Sequence, residues 1–310
     1  MRDSTEPSRS KWQPIPLQDF RQHCERLAAN SNEGFQKEFE ELKNVGERYK
    51  KSAAEHPANK RKNRWLTVLP YDHTRVKLTI KDGNPSSDYI NASFIPGFSK
   101  EHEYISTQGP LAATIEDFWR MIWEYDVQSI VMLTLCMEHG KELCAAYWPS
   151  ADSPVVGGQI QVRRVTEERS SDWTITMLNL THSISQVERK VCHFHYTAWP
   201  DRGVPVSPAS LTSFAELVRE HLDKIRTGSP PLVHCSAGVG RSGTFIALDW
   251  ALQQRKLTGS INVTEIVYKM RNNRCLMVQN LEQYVFLHNC LLQKSVEEAS
   301  GQQAKAEFFI

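Results

Sequence analysis

The sequence has no long apolar run and no excess of one charge. Its strongest apolar stretch, residues 129–135, has strand length and is far short of the roughly 20 residues that a helix needs to cross a bilayer. The first nine residues are too polar for a signal peptide. Lys and Arg number 37 against 36 for Asp and Glu, a formal net charge of +1. No global field therefore favours nucleic acid or a membrane surface, and any preference for anions has to be local.

The sequence also has no Cys-x-x-Cys pair. Its seven cysteines are odd in number and scattered along the chain, which fits neither a disulfide framework nor a zinc site. Such usage indicates reduced thiols in a cytosolic compartment. In that compartment the Asn-x-Ser/Thr matches at Asn91, Asn179 and Asn262 carry no glycosylation.

The sequence does contain enough hydrophobic residues for one large core. Hydrophobic residues make up 40% of its 310 residues, and no repeat or low-complexity stretch interrupts them. Residues 1–16 are predicted to be a flexible polar N-terminus, residues 17–295 one domain with a helical lead-in, and residues 296–310 a flexible tail. Within the lead-in, the apolar spacing predicts two helices, the first over 17–29 and the second carrying Phe35, Phe39 and Leu42.

The rest of the domain mixes strand and helix patterns, which predicts an α/β fold with helices around a mixed sheet. One amphipathic helix carries Ile115, Phe118 and Trp123. The predicted antiparallel strands cover residues 159–165, 172–180 and 187–196. The predicted C-terminal helices cover residues 207–226, 242–254, 264–271 and 281–293.

The most informative segment is residues 231–245, Pro-Leu-Val-His-Cys-Ser-Ala-Gly-Val-Gly-Arg-Ser-Gly-Thr-Phe. A short buried strand leads into a loop of small residues and then into a helix that begins near Arg241. Gly238 and Gly240 allow the loop to turn its N–H groups inward, and the helix N-terminus adds partial positive charge there. This arrangement predicts a phosphate-binding loop made by Ser236, Ala237, Gly238, Val239 and Gly240.

Cys235 is the only cysteine followed six residues later by an arginine, Arg241. At the floor of the loop, inward N–H dipoles favour its thiolate, which is a nucleophile and is also sensitive to peroxide. The planar fork of Arg241 can grip two phosphoryl oxygens, and Ser242 can donate its hydroxyl to the sulfur. A bare Cys-x5-Arg match fits a buried structural cysteine equally well, whereas the full string of small residues does not.

At these residues the chain resembles the protein tyrosine phosphatase family, specifically its tyrosine-specific catalytic domains. The resemblance runs from about Phe35 to Leu292, and several phrases are most similar to single-domain receptor-type members. It implies a highly twisted mixed sheet, a two-step reaction through a phosphocysteine, and no metal or cofactor. The matching segments are residues 88–95, 107–110, 117–119, 147–149, 199–201 and 277–279.

Residues outside the loop take roles that this resemblance implies. Asp201, in a Trp-Pro-Asp segment with a hinge at Gly203, is the general acid that protonates the leaving phenol and then the base for water. Gln279 and Gln283 are four residues apart, hence expected on one helical face, and orient that water. Without the resemblance, the Trp-Pro-Asp segment would be read as an ordinary turn, and Gln279 and Gln283 as a pair of surface glutamines.

The resemblance assigns substrate recognition to Arg64 and Trp65, within the basic run 60–65, and to Thr67, two residues beyond it. The family usually has Tyr where Trp65 stands and Asp or Asn where Thr67 stands. The Trp65 indole can still stack on the substrate ring, but Thr67 would hold the substrate backbone only weakly. Leu143 and Asn280 also depart from the usual Lys and Thr, with Lys141 as a substitute for the missing Lys. We expect an active enzyme of reduced turnover.

Two other functions remain open from the sequence. The departures at the rim allow a phosphotyrosine-binding domain with weak or no catalysis, and the basic run allows hydrolysis of phosphoinositides. The expected partners are phosphotyrosine proteins such as receptors or adaptors, with no nucleic acid. The expected state is a monomer in the cytoplasm, as an independent chain or as the cytoplasmic region of a plasma-membrane receptor.

Overall fold

A computed structural model describes residues 11–149, 153–200, 202–225 and 228–307, with side chains described to Glu297. Its helices are α1 Leu17–Glu41, α2 Ser52–Glu55, α3 Ile115–Glu124, α4 Pro208–Ile225, α5 Gly240–Thr258, α6 Val263–Arg271 and α7 Leu281–Glu307. Its strands are β1 Ile15–Pro16, β2 Arg75–Lys77, β3 Tyr89–Ile95, β4 Tyr104–Thr107, β5 Ser129–Met132, β6 Met137–Glu138, β7 Lys141–Glu142, β8 Val155–Gly157, β9 Ile160–Arg169, β10 Trp173–His182, β11 Glu188–Tyr196, β12 Leu232–His234 and β13 Ser260–Ile261.

Nine of these strands form one mixed sheet in the order β2-β3-β4-β12-β5-β11-β10-β9-β8. The centre is parallel, because β12 runs parallel to both β4 and β5. The predicted antiparallel strands are confirmed as β9, β10 and β11. The expected α/β architecture with a mixed sheet is therefore confirmed.

The core lies on both faces of this sheet. Alternation along β5 sends Ile130 and Met132 to the face covered by α3, and Val131 to the face covered by α4 to α7. Because β12 is buried on both faces, its end is fixed by neighbours on every side. The loop that follows β12 therefore starts from a rigid point.

The lead-in consists of two helical segments, as predicted. Helix α1 is interrupted at Ala29–Asn32, where Asn30, Ser31 and Asn32 have positive φ. These three residues turn the chain, because a left-handed backbone conformation cannot continue a right-handed helix.

At both ends of the chain, part of the segment predicted to be a flexible terminus has regular secondary structure. Ile15 and Pro16 pair with β13, and the side-chain amide of Asn262 donates to the Trp12 carbonyl, so residues 12–16 are docked on the domain. Residues 1–10 lie outside the described residues. Helix α7 continues to Glu307, well into the segment assigned to a tail from residue 296. No helix in the described part of the chain is both long and apolar enough to span a bilayer.

Candidate active site

The loop between β12 and α5 is held from outside by Arg274. Its guanidinium donates to the carbonyls of Gly238 (Nε, 2.8 Å) and Ala237 (Nη2, 3.0 Å). Its other contacts are Asn91 Oδ1 at 2.7 Å and Ser93 Oγ at 3.2 Å, both on β3. Since Arg274 is fully buried, it connects the outer edge of the loop rigidly to the sheet.

Two more donors complete this outer ring. Ser106 Oγ donates to the Gly238 carbonyl at 3.0 Å, and the Gly109 N–H donates to the Ser236 carbonyl at 2.9 Å. With these carbonyls turned outward, the loop N–H groups face inward, where they suit an anion. The loop N–H groups that have no partner in the described chain are those of Ser236, Ala237, Val239 and Gly240.

Cys235 lies at the floor of the loop. The residue is 4% exposed, and the Gly238 N–H donates to its Sγ at 3.3 Å. The sulfur faces a cavity of about 360 Å³. The cavity is lined by Trp65, Thr67, Val68, Leu143, Gly203, Cys235, Ser236, Ala237, Gly240, Arg241, Gln279, Asn280 and Gln283.

Ser242 does not make the predicted bond to the sulfur. Its hydroxyl is buried and has no hydrogen-bond partner among the described residues. The first turn of α5 buries it completely, so the hydroxyl is available without being committed to another group.

Arg241 lines the same cavity and is held by Glu138 on β6. Nη1 and Nη2 donate to the two carboxylate oxygens of Glu138 at 2.7 and 2.8 Å, and Nη2 also donates to the Pro200 carbonyl at 3.2 Å. Burial raises the pKa of Glu138, but the bonds and charge of Arg241 outweigh it and the pKa is lowered. The ionised pair fixes the plane of the guanidinium.

Asp201, the predicted general acid, lies outside the described residues. The residues on either side of it are placed: Trp199 Nε1 donates to the Gly203 carbonyl at 3.2 Å, and the guanidinium of Arg241 lies 5.9 Å from the Trp199 ring centre. Gly203 lines the cavity and has φ +77°, a conformation that glycine adopts without strain. The segment that carries Asp201 therefore starts and ends beside the cavity.

Gln279 and Gln283 meet at the cavity, but the expectation of one helical face is wrong. Helix α7 begins at Leu281, so Gln279 precedes it. The two residues are joined because the Gln283 side-chain oxygen accepts from the Gln279 N–H at 2.9 Å. Gly240 leaves room for them, since a Cβ there would lie 2.9 Å from both side chains.

At the rim, Trp65 and Thr67 line the cavity as predicted, whereas Arg64 does not. Trp65 Nε1 donates to Ser236 Oγ at 3.1 Å, and Lys141 Nζ lies 5.5 Å from the Trp65 ring centre. The Arg64 side chain is 6% exposed and pairs with Glu142. Its other donors bind backbone carbonyls of the neighbouring loops, so Arg64 has a structural role here.

Behind Cys235 lies a buried polar chain. The Tyr147 hydroxyl is 2.7 Å from His234 Nε2 and 2.8 Å from His193 Nε2. Burial lowers the pKa of His234 to about 3 and holds the pKa of His193 well below its usual range. Both imidazoles are therefore neutral at pH 7, and His234, whose Nδ1 lies 3.2 Å from the Cys235 carbonyl, holds the backbone of Cys235 without adding charge.

Sequence reasoning missed Glu138 and Arg274. Glu138 is one of two acidic residues in a short hairpin, and Arg274 lies in an irregular turn, so no local pattern marks either one. A buried arginine needs several acceptors, and only the folded sheet brings these to Arg274. Of the described residues that line the cavity, none is His, Asp or Glu, so its donor set does not form a metal site.

Comparisons with known proteins agree with this geometry. A sequence profile described as protein-tyrosine phosphatase matches residues 59–293. The rat receptor-type tyrosine-protein phosphatase V is 49% identical over 92% of this chain and 17% of its own length. The human receptor-type tyrosine-protein phosphatase H is 46% identical over 94% of this chain and 26% of its own length. The human phosphatidylinositol phosphatase PTPRQ is 42% identical over 93% of this chain and 12% of its own length.

The chain thus spans about a quarter or less of the length of these relatives. The profile covers most of the chain, and it includes the cysteine loop, the arginine and the two glutamines. The chain belongs to the protein tyrosine phosphatase family.

Proposed function

We propose that this chain hydrolyses phosphotyrosine in proteins by a two-step phosphocysteine mechanism. The observation that carries the proposal is Cys235 Sγ on the floor of a cavity lined by inward backbone N–H groups and Arg241. A phosphoryl group in this cavity would contact the Cys235 sulfur as nucleophile, and its negative oxygens would accept hydrogen bonds from the loop N–H groups and Arg241.

In the first step Cys235 Sγ attacks phosphorus, and the phosphorus–oxygen bond to the tyrosine breaks. Arg241 and the loop N–H groups bind the equatorial oxygens, where charge is spread in the transition state. Asp201 gives its proton to the phenolic oxygen, which is otherwise a poor leaving group because phenol has a pKa of about 10.

In the second step water attacks the phosphocysteine. Gln279 and Gln283 hold this water, and Asp201, now ionised, takes its proton. Ser242 donates its hydroxyl to the sulfur as it leaves; a buried hydroxyl with no competing partner in the described chain supports this role. Phosphate is released and the thiolate of Cys235 is restored.

The test is phosphate release from a phosphotyrosine peptide. Wild type should show a burst and a bell-shaped pH profile that persists in chelator. Cys235→Ser and Arg241→Ala should abolish release, and Asp201→Ala should lower kcat by about 100- to 10,000-fold while peptide still binds. Cys275→Ser, which replaces another buried thiol, should keep activity. Release that survives Cys235→Ser contradicts the proposal, and peptide binding without a burst favours a binding domain.

Phosphoinositide hydrolysis is the second candidate, because one relative is named a phosphatidylinositol phosphatase. The rim argues for phosphotyrosine: the Trp65 indole borders the cavity, and the Arg64 side chain is occupied elsewhere. Turnover on phosphoinositide vesicles and on the peptide, measured with one preparation, separates the two. Faster turnover on vesicles would overturn the assignment.

We also propose that the domain acts in the cytoplasm, as part of a receptor, on phosphotyrosine proteins. All seven cysteines are free, which suits a reducing compartment. The similar proteins that are named receptor-type are several times longer than this chain. Labelling the full-length protein on intact and permeabilised cells tests the placement, since this domain should be reached only after permeabilisation.

A further inference from the structure

Away from the cavity, three ligand-type side chains meet where the lead-in packs on α7. They are His23 from the first part of α1, Glu38 from its second part and His288 from α7. One ligand atom from each lies within 4.8 Å of the others. His288 is 1% exposed, and the side chains of His23 and Glu38 are 13% and 22% exposed, so the cluster is reached from one side only.

The break in α1 creates this cluster. The left-handed residues 30–32 turn the chain so that Glu38 lies beside His23. Gly34 permits the approach, since a Cβ there would lie 2.6 Å from Leu27 Cα. A continuous helix would separate the two side chains by four turns.

Outer hydrogen bonds already orient two of the three ligands. His288 Nδ1 lies 2.9 Å from the Tyr284 carbonyl and must donate to it, which leaves the lone pair on Nε2. Glu38 Oε2 accepts from the Tyr284 hydroxyl at 2.9 Å, so Oε1 is left facing His23 Nε2 at 4.0 Å. Such bonds fix the tautomer and the direction of metal ligands.

We propose that His23, Glu38 and His288 bind one Zn²⁺ ion. Two imidazoles and one carboxylate are a donor set that zinc accepts, with water in the fourth position. Mg²⁺ and Ca²⁺ are disfavoured because both prefer oxygen ligands. The ion would tie both parts of α1 to α7, whose first turn carries Gln283, and would act as a structural clasp remote from the reacting atoms.

Arg26 makes the proposal specific. Its Nη2 lies 2.9 Å from His23 Nδ1, so Nδ1 accepts and the proton of neutral His23 is on Nε2. Zinc binding to Nε2 moves that proton to Nδ1 and displaces Arg26, which is exposed and free to swing into solvent. Arg26 therefore competes with the ion through both its hydrogen bond and its charge.

The test is zinc titration followed by calorimetry, in the Cys235→Ser variant so that the nucleophile takes no metal. We expect one ion per chain. His23→Gln and Glu38→Gln, at partly exposed positions, should weaken binding at least about 100-fold, and Tyr284→Phe about 10-fold. Arg26→Ala should tighten binding roughly fivefold, because it removes a competing cation. His221→Gln, a half-buried histidine on α4, should bind as the parent does.

Cobalt as the probe distinguishes this site from thiols. Bound Co²⁺ should show tetrahedral visible bands without a thiolate charge-transfer band, and His23→Gln should remove the visible bands. Zinc should also raise the unfolding temperature of the parent but not of His23→Gln. Equal zinc affinity in the parent, His23→Gln and Glu38→Gln would overturn the proposal, as would a thiolate band or no stoichiometric binding by the parent.

Discussion

The carboxylate of Glu138 holds the guanidinium of Arg241 at two points, 2.7 and 2.8 Å from its two terminal nitrogens. The Glu138 side chain is 4% exposed and that of Arg241 is 14% exposed. Glu138 does not line the cavity, so it acts as a positioning residue. The hairpin β6–β7 thus sets the direction of the guanidinium that we propose binds the phosphoryl group.

Glu138→Gln should therefore lower kcat/KM without unfolding the protein. The amide keeps one acceptor but loses the charge and the second bond, and misplacement of Arg241 by about 1 Å costs on the order of 100-fold. Glu142→Gln is the matched control, because Glu142 lies on the same hairpin but is 51% exposed. Steady-state kinetics on a phosphotyrosine peptide provides the measurement. Equal losses in the two variants would show that Glu138 has no positioning role.

Gly238→Ala should abolish activity and destabilise the fold. Gly238 has φ +69°, and a Cβ would lie 2.1 Å from the Thr107 carbonyl oxygen, so the loop must move away from β4. Gly83→Ala is the control for the backbone alone, since Gly83 has the same φ of +69° with nothing within 4 Å. It should cost about 1–2 kcal/mol and leave kcat unchanged. Urea unfolding and kinetics on both variants test this, and a fully active Gly238→Ala would contradict the loop geometry.

The sequence predicted those parts of the fold that local patterns specify. The helices and antiparallel strands follow from apolar spacing, and the cysteine loop follows from small residues between a strand and a helix. The sheet order does not follow, because β12 pairs with β4 and β5, which are distant in sequence.

The sequence predicted those site residues that lie together on one segment of the chain. It did not predict the contacts that form where distant segments meet. Cys235 and Arg241 lie on one loop, whereas Arg274 reaches that loop from a turn beyond α6. The glutamines show the same limit: their spacing suggested a helical face, but a side-chain-to-backbone bond before α7 joins them. Arg64 looked like a rim residue because its acceptors come from loops that are remote in sequence.

Buried histidines should make the fold sensitive to acid. Burial lowers the pKa of His234 to about 3 and that of His288 to about 4. Since the unfolded chain binds these protons near pH 6.5 and the folded chain does not, stability is complete above that pH and falls as pH drops towards 4. The loss is about 1.4 kcal/mol per pH unit for each proton.

Urea midpoints between pH 7.5 and 4.5, in chelator, measure this slope. His288→Leu should reduce it by about one proton. Phe35→Leu is the control for lost packing, because the Phe35 ring lies 4.9 Å from His288 and does not titrate. It should lower the midpoint at every pH and keep the slope. A slope that His288→Leu leaves intact would mean that this imidazole is protonated in the folded state.

Trp65 should determine how well an aromatic substrate binds. Its Nε1 donates to Ser236 Oγ at 3.1 Å, which presents the indole beside the phosphate loop. Trp65→Phe keeps a ring but loses this bond, so KM for a phosphotyrosine peptide should rise about fivefold. Trp65→Ala also loses stacking, worth about 0.5–1.5 kcal/mol, and KM should rise further, by roughly another threefold to tenfold. Inhibition by inorganic phosphate is the internal control, since phosphate has no ring and should bind both variants as it binds wild type. Parallel weakening of phosphate and peptide would mean that Trp65 supports the loop itself and does not contact the substrate ring.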